Sequence, residues 1–295
     1  MKRTGLKALF TLTLVVLPVF TLTNHLSAQE IWIKLLRHGV VNQIELEEYV
    51  RGVLAGEISS SWPLEALKAM AVCARTFAAN KIMTNFNNYY HLTDEVGDQV
   101  YRTGFWQNES FTRAVTETRG EVLTYAENLA QVHYCASSGG CTASSASVWG
   151  RDFPYLQALV DPYSTEDPYN SWTLLLSSAE LLKALGLSGT LKNVEVLSRD
   201  ESNRVQDLKI SLQNKDYKTT GNKLREALGN NKLRSTFFEV RLENGKVIFT
   251  GSGWGHGVGL SQWGAKKMAE QGYTYDQILK FYFPGTTIGE VVSSQ

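Results

Sequence analysis

The sequence predicts an α+β protein: a helix pair and antiparallel strands forming a core, with a smaller α+β subdomain inserted ahead of the C-terminal helices. Three observations carry this. Apolar residues recur at helical spacing between Glu45 and Ile82, later stretches alternate at period two around polar turns, and the texture changes near residue 170 and again near 250.

The first helix is expected over Glu45 to Gly56, where Leu46, Tyr49, Val50, Val53 and Leu54 form one apolar stripe and Gly56 is a fitting terminator. Pro63 then opens a second helix, Leu64 to about Ile82, with Glu65 at the positive end of its dipole. Its many alanines (Ala66, Ala69, Ala71, Ala74, Ala78) allow close packing, so it is expected at the centre. Glu57 to Trp62 is a tight connection between the two. Arg113 to Arg119 reads as a short helix ended by Gly120, and Glu121 to Tyr125 with Ala130 to Ala136 as a strand pair. Ser164 to Trp172 reads as an exposed connection.

The inserted block, about residues 170–250, follows. It reads as a helix over Ser178 to Leu185, a hairpin of Asn193 to Arg199 with Val205 to Gln213, and a helix over Gly221 to Leu228. A second hairpin, Phe237 to Leu242 with Lys246 to Thr250, turns at Asn244-Gly245. Helices over Gln262 to Glu270 and Tyr275 to Tyr282 close the chain before Pro284-Gly285.

The N-terminus reads as an export signal. Lys2, Arg3 and Lys7 precede the apolar stretch Ala8 to Leu22, and Ser27-Ala28 offers a small-residue cleavage site, so residues 1–28 are expected to be removed. The protein is then extracytoplasmic: secreted, periplasmic or in the cell wall. A membrane link follows only if the signal stays as an uncleaved anchor. The 43% hydrophobic content supports a full core, and the formal net charge of +0 argues against a nucleic-acid partner, which needs a basic surface.

Gly251 to Ala265 reads GSGWGHGVGLSQWGA, with six glycines and few core-forming residues. Such a run suits backbone that takes unusual dihedrals or approaches something closely. Trp254, His256, Ser261, Gln262 and Trp263 combine flat apolar faces with neutral hydrogen-bonding groups, a surface suited to carbohydrate. The plainer reading is a turn between strand and helix. Glu57, at a helix end beside Trp62, sits where the dipole and desolvation both raise a carboxyl pKa, as a general acid needs. A solvated loop glutamate is the alternative. His133, Cys135 and Cys141, in HYCASSGGC, fit either a zinc site or a Cys135–Cys141 disulfide, while Cys73 reads as a buried thiol.

Three blocks in order, EEYVRGVLAGEISSSWPLEALKAMAVCARTFA, YCASSGGCTASSASVWG and GSGWGHGVGLSQWGAKKMA with FYFPGTTI, resemble the stage II sporulation protein D (SpoIID)/amidase-enhancer family. The resemblance runs from about Glu45 to Ile288. It implies an exported protein acting on bacterial peptidoglycan, either as a lytic transglycosylase of glycan strands stripped of stem peptides or as a non-catalytic enhancer of a cell-wall amidase. It places the catalytic glutamate on Glu57. It places further family positions, taken as substrate-binding, on Arg75, Ser137, Ser138, Asp161 and His256. It also favours zinc at Cys135 and Cys141 as a structural metal, with no cofactor needed for the chemistry. The spacing adds a doubt about Arg75: some 12 residues into its helix, it lies nearer Glu45 and Glu48 than Glu57, so an ion pair is as good a reading as substrate contact.

Overall fold

The computed structural model describes residues 15–18, 30–95, 97–104 and 108–292. Strand β1 (Val15–Pro18) falls inside the expected signal, whose other residues lie outside those described. The hairpin of β2 (Trp32–Arg37) and β3 (Val40–Glu45) turns at His38-Gly39 and leads into α1 (Leu46–Glu57). Glu45 caps that helix, its carboxylate accepting from the Glu48 amide at 3.0 Å. The expected stripe is buried: Leu46, Tyr49, Val50, Val53 and Leu54 are all 2% exposed or less. Helix α2 (Leu64–Thr84) packs on α1, and its alanines are buried around the helix, as a central position requires.

Next come β4 (Leu92–Thr93), parallel to β2, and α3 (Glu109–Glu117). The helix starts earlier than expected because Asn108 caps it, accepting from the Phe111 amide at 3.2 Å. Strand β5 (Glu121–Tyr125) turns tightly through Ala126-Glu127 onto β6 (Asn128–Leu129). The expected strand over Ala130 to Ala136 is thereby reduced to β7 (Tyr134–Cys135), followed by α4 (Ser145–Trp149) and a 3-10 turn at Pro162–Ser164.

Residues 172–249 gather a second hydrophobic cluster, distinct from the first. It is built on β8 (Trp172–Ser177), α5 (Ser178–Ala184), β9 (Leu191–Arg199), β10 (Val205–Leu212), β11 (Asp216–Thr220), α6 (Gly221–Leu228), β12 (Phe238–Glu243) and β13 (Lys246–Gly251). Its strands form two antiparallel sheets, ordered β11-β10-β9 and β12-β13-β8. The chain then returns to the first core through β14 (Leu260–Ser261), parallel to β7, then α7 (Gln262–Glu270) and α8 (Tyr275–Tyr282). It ends on β15 (Thr287–Val292), which pairs with β5 on one side and β1 on the other. The class is α+β.

Candidate active site

Glu57 is the last residue of α1. Gly56, expected to end the helix, instead permits a close approach: a Cβ there would stand 2.2 Å from the Val100 carbonyl oxygen. The segment carrying Val100 therefore lies against the helix end, and the Val100 amide donates to Glu57 Oε1 at 2.9 Å. Gln262, first residue of α7, donates from Nε2 to Glu57 Oε2 at 3.2 Å, and the Tyr134 hydroxyl bonds the same carboxyl. Among the described residues no Lys or Arg forms an ion pair with it. Burial pushes the Glu57 carboxyl above the usual range, and the three donors pull it back only in part.

The Tyr134 hydroxyl is itself held from behind. Buried Tyr49 donates to Gln99 Oε1 at 3.0 Å, and Gln99 Nε2 donates to the Tyr134 hydroxyl at 2.9 Å. With that lone pair occupied, the Tyr134 proton is left to point at Glu57.

Glu57 stands where two grooves meet. The larger, about 1250 Å³, runs past Phe77, Tyr134, Trp149, Tyr169, Trp254 and His256. The smaller, about 350 Å³, runs past Ser59, Trp62 and Trp263. Both are lined by Glu57, Arg102, Tyr169 and Gln262. Ring pairs line the grooves: Tyr169 on Trp254 at 4.8 Å, Trp62 on Trp263 at 5.2 Å and His133 on Trp149 at 4.4 Å. Aromatic faces together with side-chain amides such as Asn80, Gln131 and Asn230 suit an extended sugar chain.

Trp254, His256 and Gln262 thus lie in the cleft with Glu57, but His256 is not free to hydrogen-bond a substrate. Its Nδ1 accepts from the Val258 amide at 3.0 Å and its ring bonds the Tyr134 backbone, so both nitrogens are engaged. Burial, with His133, Arg225 and Arg204 nearby, lowers its pKa to about 3, so it is neutral. It shapes the wall and fixes Tyr134. The neighbouring glycines make room for protein rather than for glycan. A Cβ on Gly255 would meet Cys135 Cβ at 2.5 Å, and one on Gly257 would meet the Arg204 guanidinium at the same distance.

Arg75, Ser137, Ser138 and Asp161 do not line the cleft. Arg75 is fully buried and grips Glu47, with Nε to Oε1 at 2.9 Å and Nη2 to Oε2 at 2.6 Å; the partner is neither Glu45 nor Glu48. Asp161 Oδ2 accepts from Ser138 at 2.7 Å, Ser164 at 2.7 Å and Tyr282 at 3.1 Å in a fully buried knot behind the wall. Ser137 donates to Asp167 at 2.5 Å. These groups tie the Ser/Gly turn to α7 and α8. Arg204, in what reads as a polar hairpin turn, completes the clamp by donating to the Ser138 carbonyl at 2.6 Å and the Cys141 carbonyl at 2.8 Å. No local signal in the sequence marks it.

His133 and Cys135 line the larger groove, but Cys141 does not. Among the described residues no three His, Cys, Asp or Glu side chains converge as a metal site, so this triad does not fit zinc. His133 packs against the Trp149 and His256 rings, while the Cys141 thiol bonds the Thr142 carbonyl. Nor is there a disulfide: all three cysteines are free. Burial raises the Cys135 thiol to about 11 and lowers the His133 pKa to about 4.

Comparison with known proteins bears on the same regions. Residues 36–125 match the family described as Stage II sporulation protein, and residues 171–259 match a domain of unknown function. The chain is 34% identical over 273 residues to a Stage II sporulation protein D of Bacillus amyloliquefaciens, covering 87% of this chain and 77% of that protein. An uncharacterized protein of Brachyspira hyodysenteriae is 36% identical over 257 residues, covering 84% and 68% respectively. The amidase enhancer of Bacillus subtilis is 34% identical over 291 residues; the match covers 81% of this chain but only 40% of that longer protein.

Proposed function

The chain belongs to the stage II sporulation protein D family, and from that premise we propose that it is an exported lytic transglycosylase that cleaves peptidoglycan glycan strands, preferably peptide-stripped ones. The observation that carries this reading is one available carboxyl group. Among the described residues Glu57 and Asp98 are the only acids lining the grooves, and Asp98 is already bound to Lys81 at 2.5 Å and to the Thr93 amide at 2.8 Å. A two-carboxylate hydrolase needs a second free acid to activate water or to form a glycosyl ester.

In the proposed reaction Glu57 protonates the glycosidic oxygen as the C1–O bond breaks, the bonding electrons leaving with that oxygen. The carboxylate so formed takes the proton of the sugar's 6-hydroxyl, whose oxygen bonds C1 to give a 1,6-anhydro end. Glu57 is returned protonated, and no water is consumed. Burial suits it to both roles by raising the carboxyl above the usual carboxylate range, which makes it a better proton donor and acceptor in turn. Glu57→Gln preserves shape but cannot cycle a proton, so turnover falls by at least ~10²-fold while glycan binding survives.

A second reading is favoured by the likeness to the amidase enhancer: the cleft binds glycan and stimulates a separate cell-wall amidase without cutting. Faster amidase action with no new glycan ends would select it.

A further inference from the structure

The larger groove is unevenly charged although the chain is not. Its lining holds Lys81, Arg102, Arg151 and Arg225 against Glu57 and Asp98, while the formal net charge of the chain is +0. Two of those cations are already engaged. Lys81 pairs with Asp98 at 2.5 Å, and Arg225 donates to the Leu233 and Arg234 carbonyls at 3.0 and 3.2 Å. Arg102 and Arg151 are exposed, and among the described residues neither side chain forms an ion pair or hydrogen bond. The remaining residues of the chain include no Asp or Glu that could serve. Arg102 is also the cation that lines both grooves with Glu57, and its backbone is pinned to α1 by the Arg102 amide donating to the Gly52 carbonyl at 3.0 Å.

A guanidinium beside a neutral sugar cleft is poised for an anion, and its planar fork matches a carboxylate in a bidentate pair. On the glycan reading above, on which this inference rests, the strand can offer one such group. The 3-O-lactyl carboxyl of each muramic acid is tied up as an amide while a stem peptide is attached and becomes a free carboxylate once the peptide is removed. We propose that Arg102, with Arg151 farther along the larger groove, binds these lactyl carboxylates and so selects peptide-stripped glycan at the cleavage point. Attached peptide removes the charge and adds bulk where the guanidinium stands.

The test uses the full mature chain carrying Glu57→Gln, so that binding is read without turnover, by calorimetry at low salt. The probes are peptide-stripped glycan oligosaccharides, the same oligosaccharides with their carboxyls reduced to alcohols, chitotetraose, and poly(glycerol phosphate). Stripped glycan is expected to bind at least ~10-fold more tightly than its reduced form, a difference that shrinks as salt rises. Adding Arg102→Gln should bring that ratio close to one while leaving chitotetraose affinity and Tm unchanged, because among the described residues the side chain forms no ion pair or hydrogen bond. An unchanged ratio in the Arg102→Gln protein overturns the assignment, as does tighter binding of poly(glycerol phosphate) than of stripped glycan, which would make phosphate the ligand. Equal affinity for all three sugars overturns the carboxylate proposal and leaves the glycan reading standing. Binding of none of the sugars overturns both.

Discussion

Replacing Arg75 by leucine separates a structural from a substrate-binding role. Arg75 is completely buried; its guanidinium makes three bonds to Glu47 and a fourth, from Nη1, to the Glu121 carbonyl at 3.0 Å. Glu47, also buried, has one further donor, the Gly120 amide at 3.1 Å. Arg75→Leu strands the Glu47 carboxylate in the core, a change that costs about 3–5 kcal/mol when one partner of a buried pair is removed. At roughly 2–4 °C per kcal/mol for a chain of this size, Tm should fall by about 6–20 °C. Substituting both residues with leucine should recover most of that loss, since the stranded charge goes with the cation. Differential scanning fluorimetry on the two variants, with glycan affinity measured on the folded protein, decides the matter. An unchanged Tm in Arg75→Leu together with lost glycan binding would refute the structural assignment.

Three further outcomes follow from the same geometry. Burial holds the folded-state pKa of Glu57 above its unfolded value, so its contribution to stability falls as pH rises through that interval; Glu57→Gln should therefore melt higher than wild type at pH 7, with the gap closing below about pH 4.5. A gap of equal size at both pH values would contradict this. Gln99→Leu removes the group that aims the Tyr134 proton at Glu57, so turnover should fall and the alkaline limb of the pH–rate profile move upward, a displacement that a purely structural loss would not produce. Thiol titration of the unfolded, unreduced chain with chelator present should count three thiols, whereas a single thiol would establish the Cys135–Cys141 bond.

The helices were legible where local pattern decides them: the α1 stripe, the alanine-rich α2, and the boundaries of α7 and α8 all follow from composition, spacing and caps. The β2–β3 hairpin, β8, β11 and β15 were not: their alternation is weak, and the pairing of β8 and β15 is set by strands far away in the chain. Glu57 could be singled out from its helix end. Its partners could not: Val100 lies 43 positions away and Gln262 lies 205, and a backbone amide leaves no mark in a sequence. Arg75, Ser138 and Asp161 show the opposite limit. Polar residues in a shared motif look alike whether they face substrate or close a buried network, and only burial separates the two.

In the proposed reaction one carboxyl group suffices and water takes no part. Mass spectrometry of products from peptide-stripped glycan digested in ¹⁸O-labelled water tests it most directly. New ends of 1,6-anhydro mass are expected, each one water lighter than a reducing end and carrying no label, and no such ends with Glu57→Gln. Labelled reducing ends of full hydrolytic mass would contradict it.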